Sequence, residues 1–125
     1  MMSKPSIVTR YSIAKTLATF DIELDDINSV NLINDSRSIK KGDIFCATIG
    51  SEQDGRQYIE KSIANGAKLV LSECEKEVEH GSIRYFGVTN AQVAVISFYQ
   101  LNKKLFAIAS SYYQSPEKSM TMVGL

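Results

Sequence analysis

Ile44-Phe45-Cys46-Ala47-Thr48-Ile49 is a mostly apolar run set between the turn Lys41-Gly42-Asp43 and Gly50. A strand with one wet face alternates apolar and polar residues, whereas an unbroken apolar run suits a strand covered on both faces. The stretch therefore predicts an inner strand with helices on either side. Downstream, Asp54-Gly55-Arg56-Gln57 reads as a helix start, with Asp54 as N-cap and Gln57 in the capping-box position. Ile59 and Ile63 share a face of that helix, and Asn65-Gly66 stops it, Gly66 being free to take positive φ. Strands are expected at Leu69–Ser72, Ile83–Phe86 and Val93–Ser97, the first two separated by an acidic loop, Glu73 to Glu79.

Leu101, Leu105, Ile108, Ala109 and Tyr112 repeat at helical spacing, and Pro116 prevents continuation. The tail from Ser119 to Leu125 reads as one more strand, as expected of a chain cut at a domain boundary. Upstream, Val30–Asn34 is a short strand, and Ile13, Leu17 and Phe20 mark a helix within Tyr11–Phe20. The expected fold class is α/β, a small mixed sheet flanked by helices, forming a single domain over residues 1–125.

The chain has 125 residues, 44% hydrophobic and 22% charged, with fourteen basic and fourteen acidic side chains and a formal net charge of zero. Such a balance argues against nucleic acid or an anionic membrane as partner, since both select clustered positive charge. Met1 to Ser6 lacks the apolar run of a signal peptide, and no apolar stretch is long enough to span a bilayer. Cys46 and Cys74 have no paired-thiol spacing, so a reduced, cytoplasmic setting is expected.

Catalytic motifs are scarce. His80, the one histidine, sits in an acidic surface loop and Cys46 in an apolar strand, so no metal site is expected; both are assigned structural or bystander roles. No Ser-His-Asp set is evident, and the carboxylate pairs Asp25-Asp26 and Glu73 with Glu75 fall in polar loops. Gly50 to Gln57 carries the glycine spacing of a Walker A phosphate loop. Arg56 replaces its lysine, Gln57 replaces the magnesium-binding Ser/Thr, and Glu52 and Asp54 would repel phosphate; an ATP site is rejected.

Two polar loops remain, each directly after a strand: Asn34-Asp35-Ser36-Arg37 and Gly50 to Arg56. Ligands of α/β sheets sit beyond the carboxyl ends of strands. Hydroxyl, amide, carboxylate and guanidinium groups together suit a ligand with a hydrogen-bonding base and phosphates. On spacing alone, two turns and a helix cap explain the same residues and are the favoured reading.

Taken in order, Asp35-Ser36-Arg37, Lys41-Gly42-Asp43-Ile44-Phe45-Cys46-Ala47, Gly50-x-x-x-Asp54-Gly55-Arg56-x-Tyr58-Ile59 and Ala64-x-Gly66-Ala67 resemble the N-terminal domain of Mur ligases, the MurE type being the nearest match. Gln100-Leu101-Asn102, Tyr113-x-x-Pro116 and Met122-Val123-Gly124 continue the likeness, which covers roughly residues 30 to 125. The resemblance implies a MurE/MurF N-terminal-like fold that anchors the UDP end of UDP-MurNAc-L-Ala-D-Glu. It further implies that Asn34, Ser36, Ser51, Glu52 and Gln53 bind this substrate. Asp35 and Arg37 either brace their loop as an ion pair or reach the ligand themselves.

In such ligases ATP and Mg²⁺ activate the D-glutamyl carboxyl as an acyl phosphate, which the amine of diaminopimelate or lysine attacks. The central ATPase and C-terminal amino-acid-binding domains would carry that chemistry. This segment is therefore expected to hold no cofactor, to be inactive alone and to be a monomer, with the central domain of the same protein as a partner. A MurF-type ligase and a stand-alone uridine-nucleotide-binding module are the alternatives.

Overall fold

The structure, a computed structural model, describes residues 11–25, 27–87 and 92–114. Its centre is a five-stranded sheet in the order β3 (Leu32–Ile33), β4 (Ile44–Ala47), β5 (Leu69–Cys74), β7 (Val93–Tyr99), β6 (Ile83–Phe86). The first four are parallel, and β6 closes one edge antiparallel to β7. All four residues of β4 are buried, as its unbroken apolarity requires.

The register sorts side chains into two cores. Cys46, Leu71 and Ile96 align across β4, β5 and β7 and join Ile44, Leu69 and Phe98 on one face. That face packs against Ile13 and Leu17 of α1 (Ile13–Ala18) and Leu101, Ile108 and Tyr112 of α3 (Leu101–Tyr113). Phe45, Val70 and Val95 align one residue out of phase and meet Ile39, Ala67 and Ile59, the last from α2 (Ile59–Ala64). The result is a three-layer α/β/α unit, the α/β class with a small mixed sheet that the sequence predicts.

Tyr112 ties the first core to the chain before β3: its hydroxyl donates to the Val30 carbonyl (2.9 Å) and bonds Ser29 Oγ (2.6 Å). The buried Asp43 carboxylate accepts the Asn31 and Lys40 amides (3.2 and 2.9 Å), fixing the turn before β4. Gly66 ends α2 at φ +116°, and a Cβ there would lie 2.7 Å from Lys41 Cα, so both conformation and space select glycine.

Several expectations need correction. Asp54 does cap, but it caps the 3₁₀ turn Gly55–Tyr58, its carboxylate accepting the Arg56 amide at 2.9 Å. The α-helix begins only at Ile59, and Gln57 is exposed with no capping-box bond among the described residues. Glu73 and Cys74 belong to β5, and Phe98 and Tyr99 to β7, because the β5–β7 pairing runs six residues. A two-stranded antiparallel ribbon, β1 (Tyr11–Ser12) with β2 (Asn28–Ser29), escapes the sequence because two-residue strands carry no periodicity.

His80 is a structural tie rather than a loop bystander. Its Nδ1 accepts the Tyr99 amide (2.9 Å), which leaves Nε2–H to donate to the Phe20 carbonyl (2.6 Å). The expected strand over 119–125 lies outside the described residues. No helix among the described residues is long and apolar enough to cross a membrane.

Candidate nucleotide-binding cleft

Because β3, β4, β5 and β7 run in one direction, the loops after β3 and β4 open on the same edge of the sheet. They enclose a cleft of about 430 Å³ bordered by Asn34 to Arg37, Phe45, Thr48, Gly50, Gln53, Gly55, Tyr58 and Lys61. A larger hollow of about 970 Å³ lies at the opposite edge, against the first residues of β5 and β7 and the exposed Tyr85. The smaller cleft is the better candidate: it sits at the carboxyl ends of parallel strands, where α/β sheets receive ligands.

Ser36 supplies a second reason. It is only 6% exposed, yet its hydroxyl makes no hydrogen bond among the described residues. A buried polar group without a partner is costly, so one facing a cleft points to a ligand atom that completes it. The Ser36 backbone is held from outside, its carbonyl accepting the Asn65 side-chain amide at 3.0 Å. Asx-type capping holds the turn from within: the Asp35 carboxylate accepts the Arg37 amide at 2.9 Å.

Asp35 and Arg37 face each other as a forked pair, Nε to Oδ1 at 3.1 Å and Nη2 to Oδ2 at 2.9 Å. This is the bracing arrangement. The Arg37 bonds hold the Asp35 carboxyl down to about 2. Asp54 and Arg56 repeat the motif in the second loop, Arg56 Nε donating at 2.8 Å, and here too the guanidinium holds the carboxyl below its usual range.

The second loop is tied to its neighbours. Glu73 accepts the Ile49 amide (2.7 Å), and the Asn102 side chain donates to the Ile49 carbonyl (3.3 Å). Gly50 N–H donates to the Gln53 carbonyl (2.8 Å), closing a tight turn with Ser51 and Glu52 at its exposed tip. Of the five residues expected to bind substrate, the cleft lining brings together Asn34, Ser36 and Gln53. Ser51 and Glu52 lie beside it, outside the lining.

The resemblance to a phosphate loop fails on geometry as well as on residue type. The amides of Gly50 and Gln57 donate to the Gln53 and Asp54 carbonyls, that of Gly55 to Thr48 at the end of β4, and that of Arg56 to the Asp54 carboxylate, so these four form no free cradle for a triphosphate. No cluster of three or more His, Cys, Asp or Glu suited to a metal occurs among the described residues. Both cysteines are buried and free, and burial pushes the Cys46 thiol up to about 12.

Thr48, Tyr58 and Lys61 also border the cleft, though the sequence did not single them out as ligand contacts. The available signal was the three-residue spacing of Tyr58 and Lys61 at a helix start, which puts them on one face.

Fold and cleft together define an α/β unit with a candidate ligand cleft at the carboxyl edge of its sheet. The model of the Mur ligase family, catalytic domain, matches residues 30–113, and the chain belongs to the Mur ligase family. It is 38% identical over 101 residues to the UDP-N-acetylmuramoyl-L-alanyl-D-glutamate–2,6-diaminopimelate ligase of Haemophilus influenzae (strain PittGG), covering 81% of this chain and 20% of that protein. The ligase of the same name from Vibrio vulnificus (strain YJ016) is 40% identical over 98 residues, 78% of this chain and 19% of its own. A crystal structure of MurF from Acinetobacter baumannii aligns with TM-score 0.48 and 16% identity, over 74% of this chain and 19% of that one. The chain thus spans about a fifth of the length of the curated relatives it matches.

Proposed function

We propose that this chain anchors the UDP end of UDP-MurNAc-L-Ala-D-Glu in an ATP-dependent ligase that adds the third residue of the peptide, diaminopimelate or lysine, during peptidoglycan precursor synthesis. The names of the relatives support the substrate and reaction, and the buried, unpartnered Ser36 hydroxyl carries the site. Uracil offers two carbonyl acceptors and one N–H donor, which a serine hydroxyl and backbone groups can answer in either sense. Asn34 and Gln53 flank Ser36 in the cleft, while Ser51 and Glu52 would meet the ribose from the rim. Asp35 and Arg37 hold the loop.

Acyl activation and amine attack fall to parts of the ligase outside this chain, so the chain alone is inactive, and ATP with Mg²⁺ binds elsewhere. A cytoplasmic monomer fits this role. An NMR titration with UDP-MurNAc-L-Ala-D-Glu, with ATP as control, tests it. Shifts confined to Asn34–Arg37 and the Gly50–Arg56 loop, absent with ATP, are expected. Ser36→Ala should weaken uridine binding by about 0.5–1.5 kcal/mol, as for a neutral hydrogen bond. Equal affinities for wild type and variant would defeat the assignment.

A further inference from the structure

The cationic groups near the cleft are not equivalent. Arg37 spends its guanidinium on Asp35, and Arg56 spends its own on Asp54 and the Glu73 carbonyl (3.5 Å). Lys61 borders the same cleft and makes neither an ion pair nor a hydrogen bond among the described residues. It stands on α2 one turn beyond Tyr58, and its charge reaches the cleft, since it contributes to lowering the Asp35 carboxyl.

Charge accounting over the lining leaves Asp35 and Arg37 cancelled and Lys61 in excess. A cleft with one ammonium uncommitted and one buried hydroxyl unpartnered among the described residues offers two groups of different chemistry. The hydroxyl suits a polar ring edge, and the ammonium suits an anion, which it meets as a point charge without demanding bidentate geometry.

We propose that Lys61 contacts the diphosphate of the bound nucleotide and sets the preference of this cleft for a phosphorylated over an unphosphorylated nucleoside. The proposal rests on the nucleotide reading above and adds the polarity of the ligand: base toward Ser36, phosphates toward α2. Lys61 is exposed, so its contribution is open to salt screening, unlike that of the buried Ser36 hydroxyl.

Calorimetric titration of the chain with uridine and with UDP, at low and high salt, tests the assignment in wild type, Lys61→Gln, Lys61→Arg and Ser36→Ala. Wild type should prefer UDP by roughly tenfold at low salt, the scale of one charge-assisted contact, and by less at high salt. Lys61→Gln should lose most of that preference with uridine affinity unchanged, and Lys61→Arg should keep it. Ser36→Ala should weaken both ligands alike. An unchanged UDP-to-uridine ratio in Lys61→Gln overturns the Lys61 assignment while leaving the uridine site standing. Failure of wild type to bind either ligand overturns both.

Discussion

Asp35-Ser36-Arg37 and Asp54-Gly55-Arg56 are the same device used twice. In each, an aspartate caps a short 3₁₀ turn, accepts the amide two residues on and grips the arginine at that position. The pair in the first turn is exposed, with side chains 79% and 41% accessible for Arg37 and Asp35; the second is half-buried, at 35% and 29% for Arg56 and Asp54. The middle residue differs most. Gly55 lies so close to the end of β4 that a Cβ would stand 2.9 Å from the Thr48 carbonyl oxygen. Ser36 instead borders the cleft and carries a hydroxyl. Both turns are stiffened by their own ion pairs. The second is also packed at its middle residue against the end of β4, whereas the first is held from outside by Asn65 at the Ser36 carbonyl and keeps its central side chain at the cleft. Gly55 thus belongs to the scaffold and Ser36 to the candidate site, a difference the motif alone does not show.

The largest effect is expected at Gly55. Gly55→Ala forces a methyl against the Thr48 and Ala47 backbone, which cannot swing aside as a side chain would, and should cost about 1–3 kcal/mol of stability. Urea denaturation measures it, and an unchanged midpoint would mean that the second turn is looser than described. Asp54→Ala follows, losing a cap and the partner of Arg56, at about 0.5–2 kcal/mol. Asp35→Ala should lower the urea midpoint less, because its ion pair is exposed to water. A larger loss at Asp35 than at Asp54 would reverse the assignment of scaffold and site.

Much of this was legible in the chain, for identifiable reasons. The run Ile44–Ala47 announces an inner strand because burial on both faces removes alternation, and Gly66 announces a helix stop because positive φ excludes a side chain. Both Asp-x-Arg turns stand out as polar punctuation after a strand. Their difference does not, because it depends on Thr48 approaching Gly55 and on Asn65 holding the Ser36 carbonyl, contacts between elements that no local pattern encodes. Tyr58 and Lys61 are illegible as cleft residues for a related reason. Their spacing puts them on one face, but that this face borders the cleft depends on how α2 packs beside the loop after β3, which no local pattern encodes.

Ser36→Ala yields a smaller effect with an informative sign. The hydroxyl is buried without a partner among the described residues, so its removal relieves a desolvation cost instead of breaking a bond. Stability should hold or rise, by up to about 1 kcal/mol, while uridine affinity falls. Thermal denaturation beside the titration reads both. Loss of stability together with affinity would instead mark Ser36 as part of the scaffold, on the same footing as Gly55.

The smallest effect concerns the ion pair of the first turn. With Arg37 present the Asp35 carboxyl is held near 2, against an ordinary 3.8, chiefly by the side-chain bond. A depressed carboxyl contributes stability that is fully present above its ordinary value and is lost as pH falls toward 2. Carboxyl chemical shifts followed from pH 5 downward should show this midpoint, and Arg37→Met should return it toward 3.8. The same titration with UDP bound decides between bracing and ligand contact. If Arg37 serves only to hold the turn, Asp35 keeps its low midpoint when nucleotide is present. If the guanidinium leaves for the diphosphate, the midpoint rises, and the work assigned to Lys61 would have to be shared with Arg37.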